Sequence, residues 1–267
     1  MKPNLMHHLF PAFLFFLFSH FAQASVEIPD LPAKMSVSQA LYINCLQRTQ
    51  TQQLLKDYLQ IGLKMAHGTF EDDFKTSIGR YDQRLNALND YFLPKLDAEH
   101  QKYMTDAHAV WDESRKILLA APTKENALIL DKNFHTMISL LGKAKVLAKK
   151  SFRAVGLTGG MCRDPLYVTN IYLMKLLGVE IPDHKKKMKK RLDHFSKNMK
   201  ELQNYSGNTD AIKQHLADAQ KAFLFFTYMY DSDNTAVPTL IARKADKIFT
   251  SIRSIKKLYG QVTSVNQ

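Results

Sequence analysis

Turn-forming residues are scarce in this chain of 267 residues, which has only 10 glycines and 9 prolines. Together with several long stretches free of turn signals, this scarcity favours helices over strands. Cysteine is scarcer still, because Cys45 and Cys162 are the only two. One disulfide can form between them, but they lie far apart in sequence and only geometry can decide. Apolar residues make up 45% of the sequence, which is enough for a packed core and argues against wholesale disorder.

Recognisable catalytic and metal-binding motifs are missing from the sequence. It contains no Gly-x-Ser-x-Gly nucleophile turn and no complete phosphate-binding loop. Its 10 histidines are scattered, without a His-Glu-x-x-His pattern, and no Cys-x-x-Cys pair occurs. We therefore expect a non-enzymatic protein with no metal ion and no cofactor. An enzyme whose catalytic residues are scattered along the chain stays open as the alternative.

Long apolar runs are confined to the first 24 residues. These residues combine a basic start, a run rich in phenylalanine and leucine, and Ala-Gln-Ala before Ser25. Such a pattern is typical of a cleaved secretory signal peptide at 1–24, with an uncleaved anchor as the alternative. No later stretch approaches the roughly 20 apolar residues that cross a bilayer. We expect a soluble protein in the periplasm after cleavage.

Acidic residues are fewer than basic ones, and the formal net charge is +12. Much of the excess lies in a basic segment at positions 184–191. Its cations are Lys185, Lys186, Lys187, Lys189, Lys190 and Arg191. The basic segment either forms a solvated helix face or attracts an anionic lipid or polysaccharide of the cell envelope. Nucleic acid is not expected as a partner, since no nucleic-acid-binding motif is present.

Turn and capping residues divide the chain into a lead-in at 25–35 followed by eight expected helices. They cover about 36–66, 69–91, 98–121, 123–153, 164–178, 183–205, 208–230 and 237–259. The expected capping residues include Thr69, Thr123, Asp183, either Asn208 or Thr209, and Asp164 before Pro165. Gly156 and Gly160 would mark the junction between two groups of four helices. We predict an all-α protein of two tandem four-helix bundles with antiparallel helices, at 36–154 and 155–262.

The two groups of helices repeat one pattern at an offset of 114 residues. Apolar positions of the second helix, at 74–91, recur at 188–205 with the same spacing of three and four. The same offset relates Tyr58 to Tyr172 in the first helix of each group. Two helices in register at one offset indicate an internal duplication.

The first helix carries a motif that resembles the signature helix of PilJ/NarX-type sensor domains. Residues 42–58 read Tyr-Ile-Asn-Cys-Leu-Gln-Arg-Thr-Gln-Thr-Gln-Gln-Leu-Leu-Lys-Asp-Tyr, and the positions that match the family pattern are Gln47, Arg48, Gln52, Lys56 and Tyr58. Residues 156–172 take the same place in the second group and keep Gly159 and Tyr172. The family occurs in type IV pilus chemoreceptors and nitrate-responsive histidine kinases. The resemblance implies an all-helical extracytoplasmic sensor.

The resemblance also implies a ligand. In the nitrate-sensing members of the family, a small anion binds between paired signature helices of two subunits. This implies an anion site around Arg48 with Gln47 and Gln52, and a homodimer. The second arginine of the motif is replaced by Gln53, and Arg163 lies one position from the equivalent place in the second group. Arg163 is therefore a candidate substitute, while an ordinary interhelix ion pair is the alternative role for Arg48.

The sequence leaves three modes of action open. No signalling helix or kinase follows the helices before Gln267, so a sensor would act through a membrane receptor. An envelope-associated interaction protein that docks through the basic segment is the second reading. Redox sensing by Cys45 and Cys162 is the third, because the 114-residue offset carries Cys45 to Gly159, about one turn from Cys162.

Overall fold

The computed structural model of the protein describes residues 35–144, 153–231 and 238–265. All regular secondary structure in these residues is helical, which confirms the predicted all-α class. The predicted signal peptide and nearly all of the lead-in lie outside them. Among the described helices, none has the length and apolarity that a membrane span requires.

The described residues form eight α-helices and one short 3₁₀-helix. In chain order they are α1 (Val37–Gly62), α2 (Phe70–Phe92), the 3₁₀-helix (Leu93–Lys95), α3 (Ala98–Leu118), α4 (Lys124–Lys143), α5 (Arg153–Leu176), α6 (His184–Gln203), α7 (Asp210–Asp231) and α8 (Pro238–Val265). We call α1–α4 the first half and α5–α8 the second half. The prediction continues α4 to about residue 153, but residues 145–152 lie outside the described part of the chain.

Each half forms a closed ring of helix contacts. In the first half α1 packs against α2 and α4. The ring is closed by α3, which also packs against α2 and α4. The second half repeats this arrangement with α5 against α6 and α8, and α7 between them. α1 also packs against α5 and touches α8, and all described helices belong to one compact unit. The division into separate bundles at 36–154 and 155–262 therefore stays a prediction.

One pair of helix starts follows the 114-residue offset of the predicted repeat. α6 begins at His184 and α2 at Phe70, and these positions differ by 114. The starts of α7 at Asp210 and of α3 at Ala98 differ by 112. The offset therefore holds for the start of the second helix of each half, and duplication of the whole half stays a prediction.

Capping residues account for some helix starts and not for others. Thr123 and Thr209 each accept a hydrogen bond from the backbone N–H three residues ahead, which confirms both as caps. The hydroxyl of Thr69 instead donates to the carboxylate of Asp73. Asp183 has a φ of 55° and makes no capping hydrogen bond. Thr69 and Asp183 therefore occupy the predicted N-cap positions, but neither side chain bonds a backbone N–H of its helix.

The start of α5 also differs from the prediction. α5 begins at Arg153, so Pro165 lies inside the helix rather than at its first position. The carboxylate of Asp164 is buried and pairs with His194 of α6 at 2.6 Å instead of capping a helix. Gly156 and Gly160 lie within α5 and do not form a junction. Packing of α5 against α1, α6 and α8 outweighs the helix-breaking tendency of these residues.

Apolar side chains fill the interior of both halves. The predicted apolar positions that are buried are Phe74, Ile78, Tyr81, Leu85 and Leu88 in α2, and Leu192, Phe195, Met199 and Leu202 in α6. Trp111 is fully buried beside Tyr81, and its indole N–H donates to Asp82 at 2.8 Å. Phe195 stacks on Phe223 with ring centres 4.1 Å apart. Core packing therefore accounts for these aromatic residues.

Candidate functional site: a cationic cluster around Cys45

α1 and α5 come into close contact where Cys45 faces Gly159. A β-carbon added to Gly159 would lie 2.3 Å from the Cys45 sulfur, so the thiol fills the space that a side chain at position 159 would need. Cys45 is a half-buried free thiol. The two positions are 114 residues apart, which is the offset of the predicted repeat.

Three cations from three helices surround this thiol, and we call them the cationic cluster. They are Arg48 of α1, Arg163 of α5 and Lys256 of α8, and all three act electrostatically on Cys45. Lys256 is only 3% exposed, and the two arginines are half-buried. Nη1 of Arg163 lies 3.7 Å from the position that a β-carbon of Gly159 would take.

A glycine on α4 makes room for Arg48. A β-carbon at Gly142 would lie 3.2 Å from Nη2 of Arg48, and Nε of Arg48 donates to the carbonyl of Ile138 at 3.1 Å. The 114-residue offset relates Arg48 to Cys162 and Gly142 to Lys256. At these two pairs of positions, each half supplies one long cation and one small residue, with the cation on α1 in the first half and on α8 in the second. Arg163 of α5 is a third cation outside this pattern.

Lys256 is held in place by α1. Its ammonium lies 4.6 Å from the centre of the Tyr42 ring and donates to the Tyr42 carbonyl at 3.4 Å. The same ammonium is also in hydrogen-bonding contact with the Cys45 thiol. A cation on the last described helix is thereby fixed next to a thiol on the first.

The two thiols at this interface have opposite acidities. Burial alone would raise the pKa of Cys45, but Lys256, Arg163 and Arg48 outweigh burial and lower the pKa to about 7. Burial raises the pKa of Cys162 to about 12. The pKa of Arg48 is lowered to about 10, first by burial and then by Arg163. The cluster is therefore an environment that stabilises negative charge.

The cationic cluster lacks an acidic partner in the described part of the chain. The groups that act on Cys45 and Arg48 there include no carboxylate. Nη1 of Arg163 is buried and has no hydrogen-bond acceptor among the described residues. An unsatisfied buried donor costs about 1–3 kcal/mol, and more when the group is charged. The cationic cluster therefore favours binding of a hydrogen-bond acceptor that carries negative charge.

The structure places Arg48 and Arg163 close enough to interact electrostatically, and it gives both glutamines other contacts. Gln47 Nε2 donates to the carbonyl of Tyr81 at 2.8 Å and so joins α1 to α2. Asn170 Nδ2 donates to the backbone carbonyl of Gln52 at 3.0 Å and to its side-chain oxygen at 3.1 Å. These contacts tie α1 to its neighbours, and a ligand role for either glutamine stays a prediction.

Sequence reasoning missed Lys256. The signal for it lies in α8, where Ile252 and Ile255 are fully buried and Lys256 follows on the same face. A lysine on an apolar helix face is a charge that the fold buries, and such charges need a partner. The sequence of α8 alone does not show which helix supplies a partner for the charge of Lys256.

The basic segment is only partly a free surface. Arg191 lies over the ring of Tyr167 at 4.6 Å, and its Nη1 is 3.5 Å from the buried carboxylate of Asp164. Lys189 pairs with Asp193 at 3.0 Å. The exposed members of the segment are Lys185, Lys186, Lys187, Lys189 and Lys190. Arg191 therefore contributes to packing of α6 against α5 rather than to an outer charged surface.

Two other kinds of site receive no support from the described residues. No group of three or more His, Cys, Asp or Glu among them could hold a metal ion. A surface depression of about 310 Å³ on α3 is lined by Asp112, Arg115, Lys116 and Leu119. These four side chains are exposed and of mixed charge, so they define no particular ligand.

Comparison with known proteins assigns no relative to the chain. No protein-family model matches it, and no curated protein and no solved structure matches it significantly. The resemblance of α1 to the PilJ/NarX signature helix rests on its motif residues alone. The function is therefore argued from the cationic cluster.

Proposed function

We propose that the protein is a non-enzymatic, exported ligand-binding protein that holds a small oxyanion in the cationic cluster of Arg48, Arg163 and Lys256. The observation that carries the proposal is the convergence of these cations without a carboxylate among the described groups that act on Cys45 and Arg48. Neighbouring like charges in a partly buried site repel each other. A bound anion removes that cost and satisfies the buried Nη1 of Arg163.

The geometry of the donors favours a small, planar anion. A guanidinium presents forked donors that match the oxygens of a planar oxyanion, and the ammonium of Lys256 adds a point charge. Gly159 and Gly142 leave little spare space next to Cys45 and Arg48. Nitrate, nitrite and similar ions fit these limits better than organic acids do.

The pairing of α1 with α5 supports a sensory role. In the sensors that α1 resembles, the anion lies between signature helices of two subunits. Here α1 and α5 occupy equivalent places in the repeat and pack against each other within one chain. The chain thus supplies internally the helix pair that a homodimer supplies in those sensors. A membrane receptor that distinguishes the bound from the free protein is the partner class that this role requires.

Titration calorimetry tests the proposal. Purified protein is titrated with nitrate, nitrite, sulfate and phosphate at constant ionic strength, and Arg163→Gln is compared with the wild type. A charge-assisted hydrogen bond contributes about 1.5–3 kcal/mol, so loss of the Arg163 donor should weaken binding roughly tenfold or more. Arg243→Gln is the control, because Arg243 is exposed on α8 and the charge change is the same. Equal affinity in both variants, or no binding of any of the four anions, contradicts the proposal.

A second candidate function is docking to an anionic envelope surface. It is favoured by one observation, the exposure of five lysines within one stretch of α6. The matched test compares Lys186→Glu/Lys190→Glu with Arg243→Glu/Lys247→Glu, which has the same four-residue spacing and is also exposed. Only the first pair should abolish flotation with anionic lipid vesicles at low salt, since such attraction is electrostatic and screened. Equal flotation of both double variants removes this candidate.

A further inference from the structure

Both cysteines of the protein lie in α1 and α5, the two helices that meet at the cationic cluster. The structure holds them as free thiols, and they interact electrostatically with each other. The Cys45 sulfur lies against Gly159, and Cys162 is three residues further along α5. Positions three apart on a helix have β-carbons about 5–6 Å from each other. The Cys45 sulfur therefore lies within about one helical turn of Cys162.

This separation is close to what a disulfide needs. The β-carbons of a disulfide are about 3.5–4.5 Å apart, and the bond tolerates a range of Cα separations. Cys45 reaches across the helix interface to the face of α5 that carries Cys162. A disulfide between them would require the Cys45 side chain to turn toward Cys162 and the two helices to adjust to its geometry.

The two thiols have surroundings suited to different roles. Cys45 is half-buried and contacts Lys256, with Arg163 and Arg48 nearby. Cys162 is 3% exposed. An accessible thiolate among cations is the usual nucleophile in thiol oxidation, and a neighbouring protected thiol is the usual resolving group.

We propose that Cys45 is a reversible oxidation site for small hydroperoxides, with the cationic cluster holding it as a thiolate and Cys162 acting as the resolving thiol. The Cys45 thiolate attacks one oxygen of hydrogen peroxide. The O–O bond breaks, the sulfur becomes a sulfenic acid, and the leaving hydroxide takes a proton from solvent to form water. The peroxide is reduced by two electrons and the sulfur is oxidised by two.

The second step closes the disulfide. The sulfur of Cys162 attacks the sulfenic sulfur of Cys45, so that the S–S bond forms and the S–O bond breaks. The departing hydroxide leaves with the Cys162 proton as a second water molecule. Two equivalents of an external thiol reduce the disulfide back to the two cysteine thiols and are themselves oxidised to a disulfide. The disulfide joins α1 to α5 and removes the thiolate charge from the cationic cluster.

This chemistry goes beyond anion binding and does not depend on it, because the thiolate itself is the anion that the cluster stabilises. Failure of the anion titration leaves the oxidation test unaffected. Failure of the oxidation test leaves anion binding at Arg163 unaffected.

Peptide mass analysis after treatment of the purified protein with hydrogen peroxide tests the proposal. The wild type should give a linked Cys45–Cys162 peptide pair that is two hydrogens lighter and is restored by dithiothreitol. Cys162→Ser should stop at a Cys45 sulfenic acid that dimedone captures. Cys45→Ser should leave Cys162 reduced at the same dose. Absence of the linked pair in the wild type, or equally fast oxidation of Cys162 in Cys45→Ser, overturns the proposal.

The role of the cations is tested by the rate of the first step. Lys256→Met keeps a buried unbranched side chain but removes the charge, so oxidation of Cys45 at neutral pH should slow by about tenfold or more. Lys247→Met is the control, because Lys247 is exposed on the same helix. Arg163→Gln replaces Lys256→Met if circular dichroism shows that the latter does not fold. An unchanged oxidation rate in the folded variant overturns the assigned role of the cluster.

Discussion

Gly159 controls the approach of α1 to α5, because the Cys45 sulfur occupies the space beside it. We predict that Gly159→Ala lowers the free energy of unfolding by about 1–3 kcal/mol, since the new methyl group overpacks the contact. Gly156→Ala is the matched control within α5. No heavy atom lies within 4 Å of the methyl group it would add, so it should stabilise the helix by about 0.5–1 kcal/mol. Urea unfolding measures both, and equal stability of the two variants would contradict the close contact.

The acidity of Cys45 predicts a specific dependence of stability on pH. Its pKa falls from an ordinary value of 9.0 to about 7 in the folded protein. A lowered folded pKa adds stability that is complete above the unfolded pKa and disappears as the pH falls through the folded pKa. The free energy of unfolding of the wild type relative to Cys45→Ser should therefore rise between pH 7 and 9, by on the order of 2 kcal/mol.

Two of the groups that face Cys45 titrate above that window. The pKa of Arg48 is about 10 and that of Cys162 about 12, while Arg163 and Lys256 are the other charged neighbours. Urea unfolding at pH 6, 7.5 and 9 measures the difference. Parallel curves for wild type and Cys45→Ser would show that the thiol is not held as a thiolate.

Residues of the cationic cluster could be predicted from the sequence only if they lie in or next to the motif of α1 or the matching segment of α5. Arg48 lies on an arginine position of the motif of α1, and Arg163 was a candidate because it lies one position from the equivalent place in α5. Gln47 belongs to the same motif, yet its amide is bonded to the carbonyl of Tyr81. Lys256 lies outside the motif, more than two hundred residues along the chain from α1. Which groups meet across helices depends on packing, and one helix does not encode the identity of its neighbour.

At the scale of elements, α5 shows a local sequence signal that the fold overrides. Asp164-Pro165 predicts a helix start, and the sequence analysis places the helix at 164–178 for that reason. The predicted start is wrong, because α5 runs from Arg153 and holds Pro165 within it. Residues 156–172 are helical like residues 42–58, with which the motif aligns them. The carboxylate of Asp164 instead pairs with His194 and Arg191 of α6. Local propensity gives way here to contacts that only the folded chain provides.

An ion pair between a buried lysine and a half-buried aspartate links α1 to α8. Lys56 is 1% exposed and pairs with Asp246 of α8 and with Asp57. Burial alone would lower the pKa of Lys56, but the two carboxylates hold it above its ordinary value. Asp246→Asn should lower the free energy of unfolding by about 3 kcal/mol, because it leaves the buried ammonium with one carboxylate.

An exposed ion pair provides the control for that substitution. Lys189 and Asp193 of α6 are each 64% exposed, so Asp193→Asn should change stability by less than about 1 kcal/mol. The double substitution Lys56→Met/Asp246→Leu should recover much of the loss, since apolar replacements of buried ion pairs are tolerated. Similar losses for Asp246→Asn and Asp193→Asn in urea unfolding would show that the α1–α8 pair is not a buried link.

At the scale of the whole molecule, the sequence predicts the class of fold better than its organisation. Scarce turn residues and period-3.6 apolar stripes indicate an all-α protein, and the structure agrees. The stripes give each helix one buried face, but α1 and α5 bury a second face against each other. That second contact brings Cys45, Arg163 and Lys256 together. Its polar residues carry no periodic apolar signal, so the site could not be located from periodicity.

A shared cationic cluster is tested most directly by titrating Cys45 through thiolate absorption in Cys162→Ser, with and without the anion that calorimetry identifies. We expect a pKa near 7 without the anion. We expect a higher pKa when the anion is bound, because the anion and the thiolate repel each other within the same three cations. A pKa near 9 without the anion, or a value that a bound anion leaves unchanged, would contradict a shared cationic cluster.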